Sequence, residues 1–338
     1  MTIVGTAAIA TILLSASSAS AGITRTDYWG SDGSGDGQLH FPAFDAVDHT
    51  GNVYVADEQN ARVVKYSPSG QFLLAWGWGV KNGQPRLQTC TAGCQEGLPG
   101  SGNGQFNVSF GIAIHDSRVY VTDPPNDRVE VFNPTGRLRN IWGESGSGNG
   151  QFSSPQGIAT DPAGHVYVAD TGNDRIQKFS AGGKFLAKWG STGTGDRNFQ
   201  FPYGLATDRA NHLYVSDHFN NRVEKYTLGG KFLRMWGWGV ETGLPRFEIC
   251  TRNCLMGQAG SGDGQLGEPE GIATDSTGNV YVVDTPRARV EKFAPGGRYI
   301  TRFQTGNFFG VPHGIAIDRF DRYRVVYSQG YVVTFAQT

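Results

Sequence analysis

The stretch GSGNGQFSSPQGIATDPAGHVYVADTGNDRIQKFSAGGKFLAKWG, Gly146–Gly190, decides how this chain folds. Within it stand four short runs, GIATD, HVYVAD, RIQKF and FLAKWG, each bounded by Gly, Asp, Asn or Pro. Short runs rich in Val, Ile, Tyr and Phe between turn-forming residues mark β-strands. No stretch of the chain keeps a helical period.

The unit recurs. Its first run reads FDAVD (Phe44–Asp48), GIAIH (Gly111–His115), GIATD (Gly157–Asp161), GLATD (Gly204–Asp208), GIATD (Gly271–Asp275) and GIAID (Gly314–Asp318), six copies in all. Asp123, Asp170 and Asp217 hold one repeat position, 47 residues apart. Four strands at this period make a propeller blade. One blade cannot bury both faces, so neighbours must pack around an axis. The expected fold is all-β, a six-bladed β-propeller of four-stranded blades. The sixth unit has only three runs, and Thr24–Trp29, ending YWG, is the strand available to complete it. That pairing closes the ring and removes a free edge.

Two spacings exceed 47. Asp57 to Asp123 is 66 residues and Asp217 to Asp284 is 67. The excess lies in insertions at about 81–99 and 241–258, each following WGWGV and each containing Cys-x3-Cys. They come after blades one and four, which places them on opposite sides of the disc. The offset of 160 or 161 between matching aspartates (Asp57 and Asp217; Asp123 and Asp284) implies duplication of a three-blade half. The cysteines pair most simply as Cys90–Cys94 and Cys250–Cys254. A zinc site needs further ligands, and no His or other Cys lies near either pair in sequence.

Composition bounds the rest. Of 338 residues 17% are charged and the formal net charge is −1. A disordered charged tail and a broad nucleic-acid footprint are both disfavoured. The first 24 residues carry no charge, Ile3–Leu14 is apolar, and Ala19-Ser20-Ala21 has the small-x-small form of a cleavage site. Residues 1–21 read as a secretory signal that lacks a basic n-region. The apolar run is shorter than the ~20 residues that span a bilayer. The mature chain, 22–338, is expected to be one exported, soluble, monomeric domain without a transmembrane span.

On these residues, Gly146–Gly190 above all, the chain resembles the NHL-repeat family of six-bladed propellers. The resemblance covers the mature chain. It implies the propeller fold and leaves function open, because such propellers serve as receptor ectodomains, as RNA- or protein-binding modules and as an amidating lyase. A repeated set accompanies it. Asp57, Asp123, Asp170 and Asp217 precede an Asn by three residues and an Arg by five, and Asp284 keeps only Arg289. A set repeated in every blade but the sixth reads as structural, pairing across a tight turn and capping its amides. All seven tryptophans sit in WG pairs. Blade-to-blade packing explains them more simply than a glycan-stacking surface.

Unique chemistry gathers at the mouth of a propeller channel. The residue before each inner strand varies from blade to blade: Ala43, Phe110, Gln156, Tyr203, Glu270 and His313. His313 and Glu270 come from neighbouring blades, with Tyr203 next. The leading expectation is a binding module for a small molecule, peptide, glycan or protein at Phe110, Gln156, Tyr203, Glu270 and His313, with no cofactor and no nucleic-acid partner. The alternative is a lyase or hydrolase, amidating-lyase-like or lactonase-like, around Glu270, His313 and Tyr203, with a divalent metal. Against it, the other six histidines (His40, His49, His115, His165, His212 and His218) fall in loops or at strand ends, so no catalytic residue is assigned.

The glycine-rich connector itself could cradle phosphate, but a phosphate loop opens a helix, and here a strand follows. Its last residue, Leu39, Phe106, Phe152, Phe199 or Leu266, is expected to plug the gap between blades.

Overall fold

A computed structural model describes residues 23–306 and 309–337; the proposed signal segment, residues 1–21, lies outside them. Six antiparallel sheets stand in a ring, and the described residues contain no α-helix. In blade three the strands are Pro155–Thr160, Val166–Asp170, Arg175–Phe179 and Phe185–Trp189, innermost to outermost. The ring closes as expected: Ile23–Gly30 pairs with Tyr331–Gln337 and forms the outer strand of blade six.

The repeat residues explain the assembly. Leu39, Phe106, Phe152, Phe199 and Leu266 are fully buried between blades. The ring of Trp29, Trp76, Trp142, Trp189 and Trp236 each lies against the turn glycine of the next blade, Gly70, Gly136, Gly183, Gly230 and Gly297. A Cβ at any of these glycines would stand 2.5–2.7 Å from the tryptophan side chain. Five of the seven tryptophans are therefore inter-blade packing, while Trp78 and Trp238 lie on the connectors at Gly102 and Gly262. Blade five has Phe303 at this place, packed on Phe335 at 5.1 Å.

The repeated Asp and Arg pair across the turn as expected, but the backbone amide they cap belongs to the connector. Asp170 accepts the Ser153 backbone amide of the connector at 2.8 Å and, from its own turn, the Asn173 side-chain amide at 3.0 Å. Arg175 donates to Asp170 and to the carbonyls of Ser147, Gly148 and Gln151. The glycine-rich connector thus turns carbonyls inward on a guanidinium, the reverse of a phosphate loop. Arg62, Arg128, Arg222 and Arg289 repeat the pattern. In blade six Tyr327 and Tyr331 stand across from one another in place of the pair.

Both disulfides form, Cys90–Cys94 and Cys250–Cys254, each with a Cα separation of 5.7 Å. The insertions hold more order than their sequence signalled. Leu87–Cys90 and Phe247–Cys250 add a fifth strand to blades one and four. Asp36 and Asp196, from the preceding connectors, accept the amides of Gly93 and Cys94 and of Asn253 and Cys254.

Candidate functional site

Inner strands begin at the channel mouth that carries the connectors and the second turn of each blade, here called the upper mouth. A glycine opens the inner strand in blades two to six because the next blade comes too close for a Cβ. At Gly157 that atom would stand 2.0 Å from the Tyr203 carbonyl, and at Gly204 2.2 Å from that of Glu270. In blade one Phe44 takes this place, and the channel fills with rings. Phe44 lies 5.6 Å from Phe110 and 5.9 Å from Tyr203, and Phe110 lies 5.6 Å from Tyr203. Blades one, two and four thus meet at the axis.

The sequence-derived candidates divide into two groups. Phe110 and Tyr203 belong to the aromatic plug. Glu270 and His313 form a pair, with the carboxylate 2.8 Å from Nδ1 of the imidazole. Gln156 is half-buried; its amide contacts Ser154 at 3.4 Å and its oxygen has no partner. Ala43 adds no polar group.

Two further residues join them. Burial pushes the Glu58 carboxyl up, the nearby His313 draws it down, and Glu270 pushes it up again. His218, left among the loop histidines by the sequence reading, stacks on Tyr203 at 5.2 Å and 22°. Phe201 and Phe219 extend this wall toward the rim, 5.2 Å apart. The Tyr203 phenol is held far above its usual range by burial, with Glu270 and Glu58 adding to it, so it stays neutral. Glu58 and His218 each follow the blade aspartate (Asp57 and Asp217) in the second turn. That turn shares the upper mouth with the inner-strand start, and this topological link is the signal that could have found them.

The mouth therefore has an acidic side, Glu58 and Glu270 with His313, and an aromatic side led by Tyr203. A carboxylate on Nδ1 fixes the imidazole and leaves Nε2 for a ligand or a proton. The three-ligand groups found among the described residues are Asp36–Cys90–Cys94 and Asp196–Cys250–Cys254. Their sulfurs are tied in disulfides.

The NHL repeat model matches residues 152–179 and 266–293, the equivalent parts of blades three and five in a six-bladed ring. The chain is an NHL-repeat propeller. Within this family, its similarity to characterised proteins is partial. Peptidylglycine α-amidating monooxygenase of Rattus norvegicus is 34% identical over 104 residues, 29% of this chain and 9% of that protein. The Mus musculus protein is 33% identical over the same length. The chain thus matches under a tenth of these relatives. Among solved structures, streptogramin B lyase has a TM-score of 0.59 at 11% identity, covering 94% of this chain and 98% of that one. A gluconolactonase from Xanthomonas campestris has a TM-score of 0.56 at 14% identity, covering 90% of this chain and 88% of its own. Such likeness bears on the fold alone. Among the described residues no helix is long and apolar enough to cross a membrane.

Proposed function

We propose that this NHL propeller is an exported binding module whose upper mouth takes a cationic group carried on an apolar body, a basic or amino-terminal peptide group foremost. The observation behind this reading is the placement of Glu58 and Glu270, braced by His313, beside the Tyr203–His218–Phe201 wall. Paired carboxylates attract a cation and aromatic faces hold it. The partial similarity to a peptidylglycine enzyme puts peptides ahead of glycans. The two disulfides fit an oxidising compartment.

Thermal-shift titration with short peptides of matched length and differing charge tests this. Cationic peptides should raise the melting temperature, and Glu270→Gln should weaken them by roughly tenfold, as loss of a charge-assisted contact does. Equal shifts from neutral peptides, undiminished in Glu270→Gln, would overturn the reading.

The Glu270–His313 hydrogen bond favours a second reading, a lyase or hydrolase in which Nε2 of His313 accepts a proton from a bound substrate. Turnover of peptide or lactone substrates that disappears in His313→Ala, with the metal content of the purified protein unchanged, would establish it.

A further inference from the structure

In four blades the second strand carries a tyrosine cross-strand from a lysine: Tyr54 and Lys65, Tyr167 and Lys178, Tyr214 and Lys225, Tyr281 and Lys292. The lysine ammonium lies 4.8–5.2 Å over the tyrosine ring. The tyrosine hydroxyl donates to the aspartate that ends the inner strand: Asp48, Asp161, Asp208 or Asp275. Ring, ammonium and carboxylate fill the outer cleft toward the next blade.

Blade two keeps the tyrosine, Tyr120, and loses both the lysine and the aspartate. Val131 stands across from Tyr120 where the lysine belongs. His115 ends the inner strand where the aspartate belongs, so the Tyr120 hydroxyl lacks the carboxylate; it donates to the Ala181 carbonyl at 3.2 Å, as Tyr167 does to that of Leu228, and lies against Arg118. Arg118 occupies the place of Asn52, His165, His212 and Asn279, which all bond that aspartate in their own blades. Arg139, at the bulge of the outer strand, replaces Leu73, Leu186, Leu233 and Ile300.

The result is a groove of about 470 Å³ between blades two and three, lined by Ser117, Arg118, Val131, Arg139, Asn140 and Ala181. No carboxylate lines it. The nearest in sequence, Asp116, sits 3.4 Å from Nε2 of His115. A second hollow of about 280 Å³ shares Arg139 and Asn140 and continues to Asn103. The cleft is thus elongated, carries two guanidinium groups, and is fringed by hydroxyl and amide side chains with no aromatic wall.

We infer that this cleft binds an acidic oligosaccharide, the guanidinium groups holding its sulfate or carboxylate groups and Ser117, Asn140 and Asn103 its hydroxyls. Guanidinium forks match such oxyanions in geometry as well as charge. The lining sets these polar groups among small and aliphatic ones, Val131, Leu138 and Ile141, and its only charges are the two guanidinium groups. The site is separate from the upper mouth and does not depend on its ligand.

The test is calorimetric titration of the full chain at low ionic strength with four probes: a sulfated tetrasaccharide, a uronate-containing tetrasaccharide, the neutral tetrasaccharide, and an acidic peptide of equal charge. One or both charged saccharides should bind, the two arms telling sulfate from carboxylate. Affinity should fall with added salt, and Arg118→Asn or Arg139→Leu should each lower it by roughly tenfold. Both substitutions install residues that other blades carry at these places, and Glu270→Gln should leave binding unchanged. Binding of the neutral saccharide as tightly, equal binding of the acidic peptide, unchanged affinity in the double variant, or no binding by either charged saccharide would each overturn the inference.

Discussion

Arg175 places its Nε on Asp170 and its two terminal nitrogens on carbonyls of the preceding connector, all within a site where both side chains are nearly inaccessible. Arg175→Met would leave Asp170 unpaired and those carbonyls bare. The expected loss is about 3–5 kcal/mol in urea unfolding; a loss under about 1 kcal/mol would mean the connector is held by its glycine turns instead. At the mouth the residue-scale lesson is different. Glu270 and His313 could be picked from the sequence because they vary at one fixed repeat position. Glu58 and His218 could not, since they follow an invariant-looking aspartate in a turn whose closeness to the channel only the three-dimensional ring reveals. Phe44 hid in another way: it replaces a glycine of the repeat, and its ring reaches across the axis to Tyr203.

The blades were legible as elements because each of their strands repeats a side-chain pattern that packing enforces. The fifth strands were not, because Leu87–Cys90 and Phe247–Cys250 exist only against the outer strands of blades one and four. Each is pinned by a disulfide and by Asp36 or Asp196. Replacing Cys250 and Cys254 by alanine should cost about 2 kcal/mol by the loop-closure model. Hydrogen exchange should quicken at Phe247–Cys250 and leave the inner strands protected; uniform loss of protection would show that the hairpin supports the whole ring. The seam between blades six and one holds a second element-scale irregularity. Asp45, where other blades have Ile or Leu, is buried with neither carboxyl oxygen partnered, and Arg324, where other blades have Tyr, has Nε and Nη2 unpartnered. The double change Asp45→Ile with Arg324→Tyr restores the repeat and should stabilise the ring by about 1–4 kcal/mol. A lower melting temperature in that variant would show that the charged seam is needed for closure.

For the molecule as a whole, two sets of carboxyls pull stability in opposite directions with pH. Burial pushes Asp45 up to about 8, Glu130 to about 8 and Glu291 to about 7, only partly offset by Arg324, Arg128 and Arg289 respectively. The unfolded chain ionises these groups near their ordinary values while the fold retains their protons, so their contribution declines as pH rises toward 8. Asp48, Asp161, Asp208, Asp275 and Asp318 also feel burial, but hydrogen bonds from their own turns outweigh it and hold them low. Their contribution is lost as pH falls below their ordinary value of 3.8. The melting temperature should therefore peak at about pH 4, near the ordinary carboxyl values, and fall on either side; Glu130→Gln should flatten the alkaline limb, and a maximum at pH 8 would contradict the assignment. The ring's closure has a consequence in time as well. Thr26 bonds Thr334 across 308 positions of the chain. During synthesis the first strand waits without a partner until the last one emerges, so five blades can assemble before the sixth is whole. A circular permutant opened in the connector at Gly146 would move that wait to another blade and make the present seam covalent. Its refolding rate, set against that of the natural order, would report how much of the folding barrier belongs to the joining of the two ends.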